Sequence, residues 1–365
     1  MRSPRIVGIF VLLIGSLVTG APIAGQAPAA TLPDSNFDVQ RVADGVYAVI
    51  RKEPPGLIFR SNNVFIVNDD DVVVVDANFT STTTKEVIAA IAKVTPKPVS
   101  AVINTHWHND HIEGNQAYRA AFPKVEFIGH ASAAADMATT GAANRRQLLQ
   151  LGPQMMQQLE IGVEQSKSMT GGALSDEERA SHLSDIAIAR QYFAEAPTVE
   201  VIPPTRTVTD RLVLTRGSRT IEILHLGRGH TAADLVVRLP RENVVITGDL
   251  VVWPVPLIGS TSFPSEFAAT LQKLIDLKPA VFVPGHGAIL RDDTYLRLEQ
   301  RVLQSLSSQV AAAAGRGEPI EQVRRSVNLD EFRNQIAGTS QLRRVIFDMY
   351  VLQSGVSAAF RETRR

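Results

Sequence analysis

Apolar and β-branched runs separated by short polar breaks dominate the first part of the chain. Residues 37 to 60 contain short strands such as GVYAVI, and NVFIVNDDDVVVVDAN has two apolar runs separated by NDDD, which is the pattern of a β-hairpin. The second of these runs is apolar at nearly every position, as expected for a strand that is covered on both faces. This part of the chain therefore predicts a buried sheet.

The pattern then changes to helical spacing. TSTTTKEVIAAIAKVT has apolar residues at helical intervals, with Thr83 and Glu86 spaced as a capping box. The buried strand VSAVINTH follows and runs directly into THWHNDH. This histidine cluster is therefore predicted on a loop at the carboxyl end of a strand, where open α/β sheets place their sites.

A helical segment interrupts the strands from 134 to 196. Within it a new helix is predicted after TGG, where Ser175 and Glu178 again have the spacing of a capping box. Strands resume in RLVLTRGSRTIEILHL, a hairpin that turns at 216 to 218, and in a second hairpin, DLVVRLPRENVVITGD. The helix PSEFAATLQKLIDL, the strand AVFVPGHG and further helices complete the chain. We expect a main domain at 31–290 with a helical insertion at 134–196, and a C-terminal helical extension at 291–365.

The two halves of the main domain have the same order of elements. The first runs through a strand to Asp76, a helix and a strand that ends near His106; the second runs through a strand to Asp249, a helix and a strand to His286. Acidic and imidazole groups thus finish neighbouring strands in both halves. The pattern predicts that both sets of side chains meet at one shared edge.

The composition limits the classes of function. The 365 residues are 44% hydrophobic, and 37 basic residues balance 37 acidic ones, so the chain is long enough for a large core and its net charge does not favour nucleic acid as a partner. The absence of cysteine excludes disulfides, thiolate metal ligands and a thiol nucleophile. We expect a small-molecule substrate and no nucleic-acid partner.

The first 30 residues resemble a secretory signal. Arg2 and Arg5 precede the apolar run IVGIFVLLIGSLVTG, and APIAGQAPAA then offers a small-residue cleavage site. An uncleaved membrane anchor is the alternative interpretation. We expect a signal peptide at 1–30, a periplasmic or secreted protein, and no stable membrane anchor after cleavage.

The histidine cluster has the chemistry of a metal site. His106 and His108 are two positions apart, which turns both rings to one side of an extended backbone, while Asp110 and His111 follow a turn and can face a second point. Imidazole and carboxylate are ligands of zinc, and a catalytic zinc keeps three protein ligands and one open position. Two ions need about six protein ligands, so these four residues alone do not suffice.

Three further candidates complete the set. His230, Asp249 and His286 each follow or end a strand beside a glycine, which lets the backbone approach a bound group closely. The total of five histidines and two aspartates is enough for two ions joined by Asp249 and a hydroxide. We therefore expect metal ions, rather than salt bridges, to gather these side chains.

HWHNDH resembles the HxHxDH signature of the metallo-β-lactamase superfamily, and GHT, GD and GH match its later motifs in order. The resemblance covers about 40–290 without the helical insertion and implies an α+β fold, an αββα sandwich of two mixed sheets. It also implies two Zn²⁺ ions per chain, bridged by Asp249. In addition, it implies that Asp76 orients a ligand histidine by a hydrogen bond without binding the metal itself. The ligands that it implies are His106, His108 and His230 for one ion and Asp110, His111 and His286 for the other.

The implied chemistry is hydrolysis by a zinc-bound hydroxide. Binding to zinc lowers the pKa of water from 15.7 to about 7, which makes hydroxide available to attack an acyl carbon. The zinc also takes the developing oxyanion. Asp110 is the candidate catalytic residue, since it would be both ligand and neighbour of the nucleophile and could accept its proton.

The substrate class depends on two departures from the pattern of β-lactamases. Those enzymes have Cys or Ser where this chain has Asp249, and the best-known ones have a lysine where this chain has Val252. Asp at the bridging position is typical of relatives that hydrolyse other small molecules, so we favour an ester, lactone or thioester substrate, with β-lactam hydrolysis as the alternative. A diiron redox protein and a non-catalytic binding module are further alternatives, and assembly into a homo-oligomer stays open.

Overall fold

The computed structural model describes residues 36–58 and 60–364, so the expected signal peptide lies outside the described residues. Within these ranges, twelve strands form two sheets. The strands of the first sheet, in spatial order, are β1 (Phe37–Ala43), β2 (Val46–Arg51), β3 (Asn63–Val67), β4 (Val72–Val75), β5 (Val99–Ile103), β6 (Glu126–His130) and β7 (Arg206–Val208). Those of the second sheet are β8 (Arg211–Arg216), β9 (Arg219–Leu224), β10 (Val236–Leu239), β11 (Val244–Val252) and β12 (Val281–His286), in the order β12-β11-β10-β9-β8.

The α-helices follow the strands in the chain as expected. They are α1 (Ser81–Val94), α2 (Asn109–Ile112), α3 (Asn115–Ala121), α4 (Ala133–Asp136), α5 (Ala142–Glu164), α6 (Asp176–Glu195), α7 (Pro264–Asp276), α8 (Thr294–Gly315), α9 (Ile320–Ser326), α10 (Asp330–Ala337), α11 (Gln341–Phe347) and α12 (Ser354–Glu362). Two π-helical segments, Met137–Gly141 and Asp348–Gln353, adjoin α5 and α11, and a 3₁₀ turn, Ala196–Thr198, follows α6. No helix in the described ranges combines the length and the apolar character needed to cross a membrane.

Alternation along the strands assigns each side chain to one of three apolar layers. In β4, Val73 and Val75 lie in the core between the two sheets, whereas Val72 and Val74 pack against α1 on the outer face of the first sheet. In β12, Val281 and Val283 lie in the inter-sheet core, whereas Phe282 packs towards α7 and α8. Successive side chains on a strand point to opposite faces, so a run that is apolar at every position fills two layers at once.

The layer order is therefore helix, sheet, sheet, helix, and the expected αββα sandwich of the α+β class is confirmed. Both sheets are mixed. Strands β4 to β7 are parallel in the first sheet and β11 pairs in parallel with β12 in the second, while the remaining neighbours are antiparallel.

Three local expectations need correction. Helix α1 is capped by Thr80, whose side chain accepts from the Thr83 backbone N–H, so Thr83 lies inside the helix and the expected box with Glu86 is wrong. Asp249 does not end its strand: β11 runs to Val252, with irregular pairing to β12 around Gly248. The short strand β7 was not expected, because its residues RTV give no apolar run.

Two long helices, α5 and α6, occupy most of the segment expected as an insertion, and α8 to α12 follow the second sheet. The capping box at the start of α6 is present: Ser175 accepts from the Glu178 backbone N–H, and the Glu178 carboxylate accepts from the Ser175 N–H. The helices after β12 pack on the outer face of the second sheet through side chains such as Leu303, Leu306 and Phe347.

Gly114 provides a test of the packing between α1 and the segment that follows α2. A Cβ added there would lie 1.9 Å from the Ala77 carbonyl oxygen and 2.0 Å from Thr84 Oγ1. We expect Gly114→Ala to lower the free energy of unfolding by about 2 kcal/mol or more, because the contact is with backbone that cannot move aside. Urea unfolding measures this loss.

Gly315→Ala is the matched control, because nothing lies within 4 Å of the added methyl group at the end of α8. We expect it to be neutral or slightly stabilising. Equal stabilities for the two variants would contradict the packing described for Gly114.

Candidate metal centre

The seven candidate ligands come together at one edge of the sandwich. His106 and His108 lie on the loop after β5, Asp110 and His111 on α2, His230 between β9 and β10, Asp249 in β11, and His286 at the end of β12. Their side chains form two groups in which the ligand atoms lie within 4.8 Å of one another. The first group is His106, His108, His230 and Asp249, and the second is Asp110, His111, Asp249 and His286.

In the first group, three ring nitrogens and one carboxylate oxygen face a common point. His230 Nε2 lies 2.9 Å from His108 Nδ1 and 3.5 Å from Asp249 Oδ2. His106 Nε2 is 3.9 Å from the same Asp249 oxygen. Ligands about 2.0 Å from a tetrahedral zinc would be separated by roughly 3.3 Å, so these distances are of the right size for an ion among them.

The second group has the same character. His111 Nε2 and His286 Nε2 lie 3.2 and 3.1 Å from Asp110 Oδ2, and 3.2 and 3.4 Å from Asp249 Oδ1. Asp249 therefore turns one carboxylate oxygen towards each group. This is the arrangement required of a ligand that bridges two ions.

Several buried polar atoms of these side chains make no hydrogen bond of standard geometry within the described ranges, which is also consistent with metal binding. Nε2 of His106 and His111 and both carboxylate oxygens of Asp249 are buried without a hydrogen bond of standard geometry among the described residues. Leaving such atoms unsatisfied is costly, unless a ligand of another kind binds them. Divalent cations satisfy bare imidazole nitrogens and carboxylate oxygens together.

In three of the five candidate histidines, the ring nitrogen that faces away from the site donates to an oxygen of the protein. Nδ1–H of His111 donates to Asp76 Oδ2 at 2.8 Å, that of His230 to the Leu257 carbonyl at 3.1 Å, and that of His286 to the Arg60 carbonyl at 3.0 Å. These bonds fix the ring orientation and direct Nε2 of each ring into the site.

Hydroxyl groups hold the remaining two rings. His106 Nδ1 lies 3.2 Å from Thr105 Oγ1, and His108 Nε2 lies 3.1 Å from Thr261 Oγ1. His230 Nε2 lies within hydrogen-bond distance of His108 Nδ1, at 2.9 Å, and the tautomer of His108 decides whether a proton lies between them. A cation bound here would take the lone pairs of both nitrogens.

Asp76 has the role that the sequence suggested. It sits at the end of β4 with a φ of 62°, and its carboxylate accepts from the Thr105 backbone N–H at 2.8 Å and the Thr105 hydroxyl at 2.9 Å, as well as from His111. One carboxylate therefore orients His111 and the start of the loop that carries His106 and His108.

Two positions near the metal centre require glycine because the backbone there passes very close to other side chains. A Cβ at Gly285 would lie 2.0 Å from Asp249 Oδ1, so only glycine allows β12 to pass beside the bridging carboxylate. Gly248 has a φ of 53° and would meet Thr105 at 2.6 Å. These two positions let the second sheet bring Asp249 against ligands from the first sheet.

Sequence reasoning missed several of the groups that orient the ligands. Thr261, Leu257 and Arg60 lie on loops without a motif, and two of them act through backbone carbonyls, which any residue type supplies. Thr105 could have been suspected, because it directly precedes His106 in THWHNDH.

Electrostatics differ between the two groups. In the first group, burial, reinforced by the neighbouring histidines, lowers the pKa of His106 well below its usual value and that of His108 to about 3. Burial likewise lowers the pKa of His230. These rings are therefore neutral and ready to bind a cation at neutral pH.

In the second group, burial alone would lower the histidine pKa values, but the carboxylates outweigh it. The charges of Asp110 and Asp249 raise the pKa of His111 well above its usual value, and Asp249 with Asp110 raises that of His286 to about 9. The same pairs hold the pKa of Asp110 and of Asp249 well below the ordinary range despite burial. A metal ion that enters this group must displace protons.

Exposure distinguishes the two carboxylates. The Asp249 side chain is 1% exposed, whereas that of Asp110 is 16% exposed. Asp110 is thus the more exposed of the two candidate carboxylate ligands.

The chain matches the family model described as "Metallo-beta-lactamase superfamily" over residues 57–286. Among curated proteins it is similar to a linear primary-alkylsulfatase from Pseudomonas sp. (strain ATCC 19151), with 26% identity over 228 residues. That match covers 60% of this chain and 40% of the relative, so the chain spans less than half the length of the sulfatase that it resembles.

Solved structures give the same fold. A metallo-beta-lactamase from Pontibacter korlensis superposes with a TM-score of 0.50 at 18% identity, covering 73% of this chain and 99% of that one. The protein VMB-1 superposes with a TM-score of 0.50 at 18% identity, covering 74% and 97%. At this identity the likeness concerns the fold, and the site is argued from its own geometry.

Replacing Asp76 tests the ring orientation. Both Asp76 oxygens accept hydrogen bonds, so the amide nitrogen of Asp76→Asn would face a donor, either His111 Nδ1–H or Thr105. Because one of these bonds is lost, we expect the metal affinity of the second group to fall by about 10- to 100-fold. Competition with a chromophoric zinc chelator measures the affinity. Asp70→Asn, an exposed carboxylate in the turn between β3 and β4, should bind as the wild type does; an Asp76→Asn variant with unchanged affinity would contradict the assigned role.

The two groups should also differ in the pH dependence of metal binding. Between pH 6 and 8 an ion that enters the second group must displace protons from His111 and His286, so its affinity should rise with pH. The rings of the first group are already neutral, so the affinity for the other ion should be nearly flat over the same range. Calorimetric titration of the metal-free protein in buffers of different ionisation enthalpy counts the protons released. Equal pH slopes for both ions would be the contrary result.

Proposed function

The chain belongs to the metallo-beta-lactamase superfamily, and on that premise we propose that it is a dinuclear zinc hydrolase that cleaves a small-molecule ester, lactone or thioester. The observation that supports this most strongly is Asp249, whose two buried carboxylate oxygens face two separate groups of histidines. Imidazole nitrogens of three other candidate ligands lie 3.2 to 3.5 Å from these oxygens, so the groups around Asp249 are ones that a metal ion would also bind.

Two bound ions would supply Lewis acidity and a water of lowered pKa. The chain's own residues do the rest of the work. Thr105, Thr261, Asp76 and the carbonyls of Leu257 and Arg60 fix the orientation of five imidazole rings, so that one nitrogen of each ring faces the site. The site is thereby organised before metal or substrate arrives.

Asp110 is the residue to which we assign proton transfer. Its Oδ2 points to His111 and His286, its side chain is more exposed than that of Asp249, and its pKa is held low, so it is a carboxylate at neutral pH. Ser61 fixes its backbone through a hydroxyl that donates to the Asp110 carbonyl at 2.6 Å. A fixed carboxylate beside the attacking water can orient it and accept its proton.

The bridging residue and the residue three positions later argue against a β-lactam substrate. Asp249 stands where the β-lactamases of the family have Cys or Ser, and Val252 stands where the best-known ones have a lysine for the substrate carboxylate. Esters, lactones and thioesters place a carbonyl carbon between nucleophile and oxyanion-stabilising groups, as this site requires.

A sulfate ester is the second candidate, because the similar curated protein is an alkylsulfatase. The same ligand set could serve attack at sulfur, since the bridging aspartate is common to both proposals. A panel containing both substrate types separates them.

We also propose that the protein is exported. Residues 1–30 have the basic start, apolar stretch and small-residue end of a secretory signal.

A substrate panel tests the proposed activity. We expect the zinc-loaded protein to hydrolyse members of a set of aryl esters, lactones and thioesters faster than a chromogenic cephalosporin, and to lose this activity when a chelator removes the metal. Exclusive turnover of alkyl sulfates would replace the acyl proposal by the second candidate. Full activity after verified metal removal would contradict both.

Asp110→Ala tests the assigned proton acceptor. We expect kcat/KM to fall by at least about 100-fold, since general base catalysis contributes roughly 10²- to 10⁴-fold and a ligand is lost as well. Asp70→Ala is the control, because that carboxylate is exposed and far along the chain from the ligands. Activity that survives in Asp110→Ala at equal metal content would overturn the assignment.

A further inference from the structure

Tyr350 lies in the π-helical segment Asp348–Gln353, between α11 and α12 and beyond the residues matched by the family model. π-Helical turns inside helices are uncommon and frequently lie at functional sites. Two hydrogen bonds of Tyr350 reach loops that border the metal centre.

The first bond is made by its backbone. The Tyr350 carbonyl accepts from the Ile258 N–H at 3.1 Å. Ile258 directly follows Leu257, whose own carbonyl accepts from His230 Nδ1. The C-terminal helices thus fix the loop that orients a ligand of the first group.

The second bond is made by the phenol. The Tyr350 hydroxyl donates to the Leu57 carbonyl at 2.8 Å. Three residues later the Arg60 carbonyl accepts from His286 Nδ1, and the neighbouring Ser61 hydroxyl donates to the Asp110 carbonyl. The same tyrosine therefore holds the segment that orients two ligands of the second group.

The opposite side of the same peptide segment is held by the helical insertion. The buried Asp185 carboxylate on α6 accepts from the Leu57 N–H at 3.1 Å and from the Ile58 N–H at 3.0 Å. Leu57 is thus bound through its N–H by α6 and through its carbonyl by Tyr350. Burial, together with the charges of Asp185 and Asp110, raises the pKa of the Tyr350 phenol, so the hydroxyl keeps its proton.

We propose that Tyr350 is a positioning residue that, with Asp185, clamps the segment at Leu57 and thereby fixes the second metal group. This inference rests on the proposed dinuclear site. It gives the C-terminal helices a function in metal binding, rather than in packing alone.

Tyr350→Phe separates the two bonds, because it removes the hydroxyl and keeps the backbone carbonyl. We expect the affinity for the ion of the second group to fall several-fold, less than the roughly 10- to 100-fold loss caused by a group that touches a ligand directly. The affinity of the first group should stay unchanged. Stepwise zinc titration of the full chain against a chromophoric chelator resolves the two ions, and hydrogen exchange of the peptide 54–61 should become faster.

Tyr118→Phe is the matched control, since the Tyr118 hydroxyl is buried without a hydrogen-bond partner among the described residues. A second variant, Asp185→Asn, should speed exchange of the same peptide, and its effect should not add to that of Tyr350→Phe, because both act on one segment. Tyr350→Phe would overturn the inference if it bound both ions like Tyr118→Phe, or if it weakened both ions equally. Failure of the wild type to bind a second ion would instead overturn the proposed function, and the inference with it.

Discussion

The rest of the structure depends on one electrostatic constraint: five imidazole rings and two carboxylates lie together at one edge of the sandwich, where protons or cations must balance the negative charge. His108 and His230 bring ring nitrogens within 2.9 Å, and Asp249 presents two buried oxygens without hydrogen-bond donors of standard geometry among the described residues. Without metal, protons on His111 and His286 balance the two carboxylates, and an ion that binds there must displace them. Positive charge at two points makes the same arrangement favourable.

The sandwich provides the geometry for this convergence. Parallel pairing of β4 with β5, and of β11 with β12, brings strand ends from both sheets to one edge. Glycine at position 285 allows the strands to approach the bridging carboxylate. Around this edge, hydrogen bonds to the far side of each ring come from loops of both sheets, and the insertion and the C-terminal helices hold one of those loops.

Much of this could be predicted from the sequence, because strand periodicity and ligand motifs are local signals. Val72 to Val75 alternate between two layers as their apolar run implied, and the seven ligand candidates meet in two groups. The cap of α1 was misplaced because Thr80 and Thr83 are both good capping residues, and only the backbone conformation distinguishes them. Asp249 was expected at a strand end beside a glycine, whereas Gly248 marks an irregularity within β11, which continues to Val252.

Other features could not be predicted, since they depend on contacts between distant segments. Thr261 meets His108 across 153 positions and Tyr350 meets Leu57 across 293, and neither carries a local signature. The central claim is that Asp249 joins two ions. Anomalous X-ray diffraction at the zinc edge from crystals of the zinc-loaded protein tests it most directly: we predict two peaks about 3.5–4 Å apart, one on each side of the Asp249 carboxylate. A single peak away from Asp249, or none, would contradict it.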